Sequence, residues 1–268
     1  MSNILIKNLI NTLFFNIRNK LAFSRPIKRL PNENKELIFS DQTIKNKAQN
    51  ILEAYNLTDI YNNSSKLHYK EILYTIKLLE DVFENTEILA ELNQATILDI
   101  GSKNFSYANA LHSFFSYYKT NTKRDVYLDG IEIDPFRIMA DFHSRYDYAM
   151  YYIKNLPNTN YLTGDFLELA CKNYDVITWF LPFLITEPLI RWGLPVKYLK
   201  PEIMFQKAYD LLNPKGVMLV VNQFEKEKNI QLKMITGLGL NYIEIKKPYT
   251  NIFSPYQLER YIILIRKD

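Results

Sequence analysis

From Thr96 onward, short apolar runs alternate with longer stretches whose apolar residues recur at helical spacing. "TILDIG" (96–101), "VYLDGIEID" (126–134), "TNYLTGD" (159–165), "YDVITWFLPF" (174–183) and "GVMLVVNQ" (216–223) predict strands. "NFSYANALHSFFSYY" (104–118), "PEIMFQKAYDLLN" (201–213) and "KEKNIQLKMITGLG" (226–239, closed by glycine) predict helices. "PFRIMADFHSRYDYAMYYIKNL" (135–156) predicts one long helix opened by Pro135. Such alternation implies an α/β fold: a mostly parallel sheet, right-handed crossovers and helices on both faces. The end breaks the rule. "NYIEIKK" (241–247) and "RYIILIRK" (260–267) are strand-like runs joined by a proline-bearing loop with no convincing long helix. The last strand is therefore expected to be antiparallel.

Upstream the pattern is helical. Ile6, Leu9, Ile10, Leu13, Phe14, Ile17 and Leu21 recur at the spacing of an amphipathic helix. Asn and Lys interrupt the run every few positions, which suits neither a secretory leader nor a membrane span. Such a helix packs on its own domain or on a second copy, or lies on an anionic membrane surface. "RPIKRLPNENKEL" reads as a linker. Asp41 can cap a helix running to about Tyr55. Ser64 or Ser65 can cap another to about Phe83, with Ile72, Ile76, Leu79 and Phe83 as its apolar side. The expected organisation is a basic amphipathic arm (1–30), a helical N-terminal cover (31–95) and an α/β domain (96–268).

Charge sharpens this division. The arm carries six basic residues and no acid, whereas the remainder has 27 basic and 29 acidic residues. A nearly neutral body argues against an extended nucleic-acid surface. Hydrophobic residues make up 47% and charged residues 23%, the balance of a globular protein. One cysteine, Cys171, allows no internal disulfide and no cysteine-cluster metal site. With three histidines and no paired-histidine motif, no metal site is expected, and a cytoplasmic location is.

In an open α/β sheet, ligands sit beyond the carboxyl ends of the strands, where strand order reverses. Those ends carry Asp99-Ile100-Gly101-Ser102, Glu132-Ile133-Asp134, Thr163-Gly164-Asp165-Phe166 and Thr178-Trp179-Phe180. Each has a job in a nucleoside pocket. Gly101 lets the backbone turn and come close to a ligand. Asp99 can receive a cationic amine. Glu132 can accept from both ribose hydroxyls, and Asp165 from an exocyclic amine, while the Phe166 amide donates to a ring nitrogen. Trp179 and Phe180 can wall the pocket.

"ILDIG", "IEIDP", "YLTGDF", "YDVITWF" and "LLNPKGVMLVVNQ" together resemble the successive motifs of class I S-adenosylmethionine-dependent methyltransferases. The resemblance covers about Thr96 to Asp268 and implies a Rossmann-like sheet with a reversed final strand. It implies S-adenosylmethionine as cofactor, with Asp99, Gly101 and Ser102 facing the methionine moiety, Glu132 the ribose, and Asp165 with Phe166 the adenine. The carbonyl of Thr178 would meet the cofactor amine. Where the family's loop reads Gly-x-Gly-x-Gly, this chain has Gly101-Ser102-Lys103-Asn104-Phe105. A Cβ at Lys103 narrows the approach, while Asn104, which tolerates positive φ, suits a cofactor loop.

The function expected is methyl transfer to an unidentified acceptor. A non-catalytic cofactor-binding or scaffold module is the alternative. A nicotinamide oxidoreductase is disfavoured because G-x-G-x-x-G is absent and Glu132 lies 31 residues after Gly101. No catalytic residue stands out; His112 and His143 qualify by residue type alone. "LPFLITEPLIRWGLPVKYLKPE" (181–202) is too long for a plain connection. It is expected to line the acceptor site, with Trp179, Glu187 and Arg191 as contacts and Trp192 and Tyr198 nearby.

Overall fold

In this computed structural model the described residues are 2–84, 86, 92–244, 249–254 and 259–267. Among them, seven strands form one sheet in the order β3-β2-β1-β4-β5-β7-β6. They are β1 (Gln94–Ile100), β2 (Asp125–Glu132), β3 (Thr159–Thr163), β4 (Tyr174–Phe180), β5 (Leu212–Asn222), β6 (Tyr242–Glu244) and β7 (Tyr261–Arg266). β1 pairs in parallel with both β2 and β4, β2 with β3, and β4 with β5. β7 runs antiparallel to both neighbours, which is the reversed ending expected from the sequence. The proposed strand over 241–247 is seen only to Glu244; its residues 245–247 lie outside the described set.

Period-two alternation builds two apolar layers. Ile97, Val126, Val176, Val217, Leu219 and Ile262 join the layer that contains Ile72, Ile76 and Phe83 of α4 (Lys66–Phe83) and Leu111 and Phe114 of α5 (Ala108–Tyr117). Their strand neighbours Leu98, Ile177, Met218, Val220 and Ile263 join Phe205 and Ala208 of α8 (Pro201–Asp210) and Ile235 of α9 (Glu225–Gly237). Helices therefore cover both faces.

The helices before β1 are α1 (Ser2–Leu21), α2 (Gln42–Ala54), a short α3 (Thr58–Asn63) that the pattern did not announce, and α4. Asp41 caps α2, accepting from the amides of Thr43 and Ile44, and Ser65 caps α4, accepting from His68. No described helix is long and apolar enough to cross a membrane.

The long helix expected at 135–156 is shorter. α6 spans Arg145–Ile153, and the residues before it form a turn bridged between Ile138 and Ser144. A capping box starts the helix late: the Ser144 hydroxyl accepts from the Asp147 amide at 3.2 Å, and Asp147 accepts from the Ser144 amide at 2.7 Å. Phe142 at φ 63° cannot belong to a right-handed helix. In place of a first turn, Arg137 reaches back to the buried Asp134 at 2.7 Å.

Candidate functional site

Strand order reverses between β1 and β4, and the carboxyl ends on both sides of the reversal border one cavity of about 220 Å³. It is small for a ligand site, which commonly spans roughly 300–1,000 Å³, but it opens to solvent. The turns that follow the strands are tied to neighbouring strand ends. The amides of Gly101 and Ser102 both donate to the Ile131 carbonyl, at 2.9 and 3.1 Å. Gly164 donates to the Glu132 carbonyl at 2.9 Å, and Leu181 to the Val221 carbonyl at 2.7 Å. Gly101, Glu132, Asp165 and Phe166 thus share one wall.

Gly101 adopts φ +75°, and a Cβ built on it would meet no heavy atom within 4 Å, so the backbone faces open space. Three non-glycine residues in left-handed conformations surround this turn: Lys103 at φ 55°, Phe105 at 52° and Leu181 at 57°. Such backbones cost about 1–2 kcal/mol each and concentrate at functional sites. Asn104, the residue expected to tolerate the turn, is not among them. The strain falls on its neighbours, because the Lys103 amide must reach Glu132 and the Phe105 ring must pack against Gly130.

Glu132 is buried and lines the cavity. Its oxygens accept from the amides of Lys103 and Asp134, each at 2.8 Å, with the buried Arg145 guanidinium 3.6 Å away. Burial raises its pKa, and Arg145 opposes the rise. A carboxylate has about four acceptor positions, so capacity remains toward the cavity. Asp165 caps the 3₁₀ turn Phe166–Glu168 by accepting from Leu167 at 2.9 Å, and it also lines the cavity.

Asp99 is a different case. It was expected to face a ligand, yet it is fully buried and does not border the cavity. One oxygen accepts from the Thr178 hydroxyl at 2.6 Å, the other from the Tyr107 hydroxyl at 2.8 Å. Burial pushes its pKa up to about 6 despite these bonds. Ser102 is buried too and donates to the Asp99 carbonyl at 2.9 Å. Thr178 sits in the ladder between Asp99 of β1 and Leu219 of β5, away from the cavity. These three residues lie beneath the site, their side chains bonded to one another or to the Asp99 backbone rather than facing the cavity.

The segment after β4 forms the opposite wall through Pro188 and Leu189 of α7 (Thr186–Arg191), with Trp192, Leu194 and Tyr198 following. Glu187 and Arg191 are exposed and pair with each other at 2.6 Å, one turn apart; neither borders the cavity. The helix turns its apolar side inward, and its charged pair faces water. Trp179 does line the cavity. Trp192 does more than the sequence suggested: its ring has the Arg145 guanidinium 5.0 Å and the Lys103 ammonium 5.5 Å from its centre. Burial holds the Lys103 ammonium below its ordinary pKa. His112 is buried elsewhere, and burial lowers its pKa to about 4; His143 is half-buried, bonded to the Arg25 carbonyl at 2.7 Å. Neither borders the cavity.

Gln223 and Glu227 also border the cavity, and sequence reasoning missed them. Glu227 accepts from the amides of Gln223 and Phe224, closing the N-terminus of α9. The strand-end rule, extended to the fifth strand, would have found Gln223; Glu227 lies in the first turn of α9 and is brought there by its capping bonds.

No protein-family model matches the chain, and no curated protein matches it in sequence. Solved structures are similar in fold. A methyltransferase from Pyrococcus furiosus is 18% identical, with a TM-score of 0.46 over 73% of this chain and 85% of that one. Precorrin-6y C5,15-methyltransferase from Geobacter metallireducens is 12% identical, with a TM-score of 0.43 over 68% of this chain and 85% of that one. A SAM-dependent O-methyltransferase from Thermotoga maritima is 12% identical, with a TM-score of 0.45 over 72% of this chain and 64% of that one.

Proposed function

We propose that the cavity binds S-adenosylmethionine and that the protein transfers its methyl group to an acceptor entering beside the α7 wall. The observation that carries this reading is the meeting of Gly101, Glu132, Asp165 and Phe166 around one cavity at the reversal of strand order. The donor set suits an adenosine: an open glycine backbone, two carboxylates with acceptor capacity and aromatic walls from Phe166, Trp179 and Trp192. When bound, S-adenosylmethionine supplies an electrophilic methyl on a sulfonium.

The chain's own residues bind and orient. Glu132 accepts from the ribose hydroxyls, and Asp165 from the adenine amine. Asp99, Ser102 and Thr178 act from beneath by fixing the turn at Gly101. With neither His112 nor His143 at the cavity, the reading assigns catalysis to positioning, which can account for much of a displacement's rate. A cytoplasmic location belongs to the same reading.

Calorimetry with S-adenosylmethionine and S-adenosylhomocysteine tests binding. Glu132→Gln and Asp165→Asn are each expected to weaken it about 10- to 100-fold, the effect of losing a charge-assisted hydrogen bond. Absence of binding to the unaltered protein would overturn the proposal. Binding without turnover on small-molecule, lipid, protein or RNA acceptors would reduce it to a cofactor-binding module.

A further inference from the structure

Helix α1 is docked with its polar face inward. Asn11 donates to the carbonyls of Ile190 and Leu194 at 3.0 and 3.2 Å, and Asn8 accepts from the Val196 amide at 2.8 Å. Arg18 forks onto the buried Asp134 with two bonds of 2.9 Å. Among the apolar residues of the helix only Phe15 is buried, against Leu189, Ile190 and Leu194. The rest face away. Ile6, Leu9, Ile10, Leu13, Ile17 and Leu21 are between 43% and 71% exposed. At 3.6 residues per turn they occupy an arc of about 120°. Large exposed apolar patches on a folded surface mark an interaction site.

We propose that this face seats in the interface of an anionic lipid bilayer, with α1 lying in the membrane plane. Charge decides between lipid and a second copy. The arm holds no acid, and Lys7, Lys20, Arg25, Lys28 and Arg29 are exposed. Two such arms repel, whereas lipid phosphates attract. Lys20 also falls within the apolar arc at the last turn. In a seam between two helices its ammonium would be stripped of water; at a bilayer it reaches the headgroups along its aliphatic stem. A helix with this polarity, not apolar enough to cross a membrane, is the kind that lies on one. Because α1 is bonded to Ile190, Leu194 and Val196, docking brings the wall of the cavity to the lipid surface.

The test is flotation of the full chain with phosphatidylcholine vesicles, with and without phosphatidylglycerol. The altered form is Leu9→Glu, Leu13→Glu and Ile17→Glu together, which leaves the docked residues intact. The bound-to-free ratio is expected to rise at least about tenfold with phosphatidylglycerol, and to fall by a similar factor in the altered protein. Far-ultraviolet dichroism and the unfolding midpoint establish that the altered form is folded. Failure to float with phosphatidylglycerol vesicles would overturn the proposal, as would equal flotation of the altered protein. A lipid-independent dimer, seen by sedimentation and abolished by the three substitutions, would assign the face to a second copy instead.

Discussion

The substitution Asp99→Asn separates a floor residue from a ligand-facing one. Asp99 is fully buried, and burial lifts its pKa from the ordinary 3.8 to about 6 against the pull of Thr178, Tyr107 and Ser102. That difference corresponds to about 3 kcal/mol. A carboxyl raised on folding contributes its stability in full below about pH 4, and loses it as pH rises through about 6. An asparagine amide carries no charge at any pH and mimics the protonated carboxyl. Urea unfolding at steps from pH 3 to 7 should therefore show the Asp99→Asn variant gaining about 3 kcal/mol on the unaltered protein as pH rises. All other groups cancel in the comparison. A flat difference would refute the reasoning: the carboxylate would be solvated, the floor open, and Asp99 restored as a residue that faces the cavity.

Four further substitutions probe the surroundings of the cavity. Gly130→Ala would place a Cβ 2.6 Å from the Phe105 ring and 2.7 Å from the Ser102 hydroxyl. It should cost about 1–3 kcal/mol in urea unfolding and weaken binding of S-adenosylhomocysteine by shifting the turn at Gly101. Glu187→Ala and Arg191→Ala break only an exposed pair; stability should move by less than about 0.5 kcal/mol, with ligand affinity unchanged by calorimetry. Arg18→Ala leaves the buried Asp134 with Arg137 alone, which should lower stability by about 1–3 kcal/mol and hasten tryptic cleavage within the arm.

Periodicity made the sheet legible. The strand cores of β1 to β5, the reversal at β7 and the caps Asp41 and Ser65 all follow from alternation and from which side chains can satisfy a helix end. Capping chemistry beat periodicity at 135–143: the apolar spacing continues, but Ser144 and Asp147 offer a better start than Pro135. The site was half legible. That acids end successive strands is visible in the residues. Which of them face the cavity depends on neighbours distant in sequence. Asp99 is claimed by Thr178, 79 positions away, whereas Glu132 keeps a free side. The orientation of α1 was hidden for the same reason. Periodicity shows that a helix has two faces; distant partners, the carbonyls of Ile190 and Leu194, the Val196 amide and Asp134, select the polar face.

The most direct test of the central claim is a structure of the protein with S-adenosylhomocysteine. The ribose is expected against Glu132 and the adenine beside Asp165 and Phe166, with the sulfur directed toward the wall formed by Leu189 and Trp192. A ligand seated away from Glu132 and Asp165, or one reaching Asp99 through a displaced Thr178, would contradict the account.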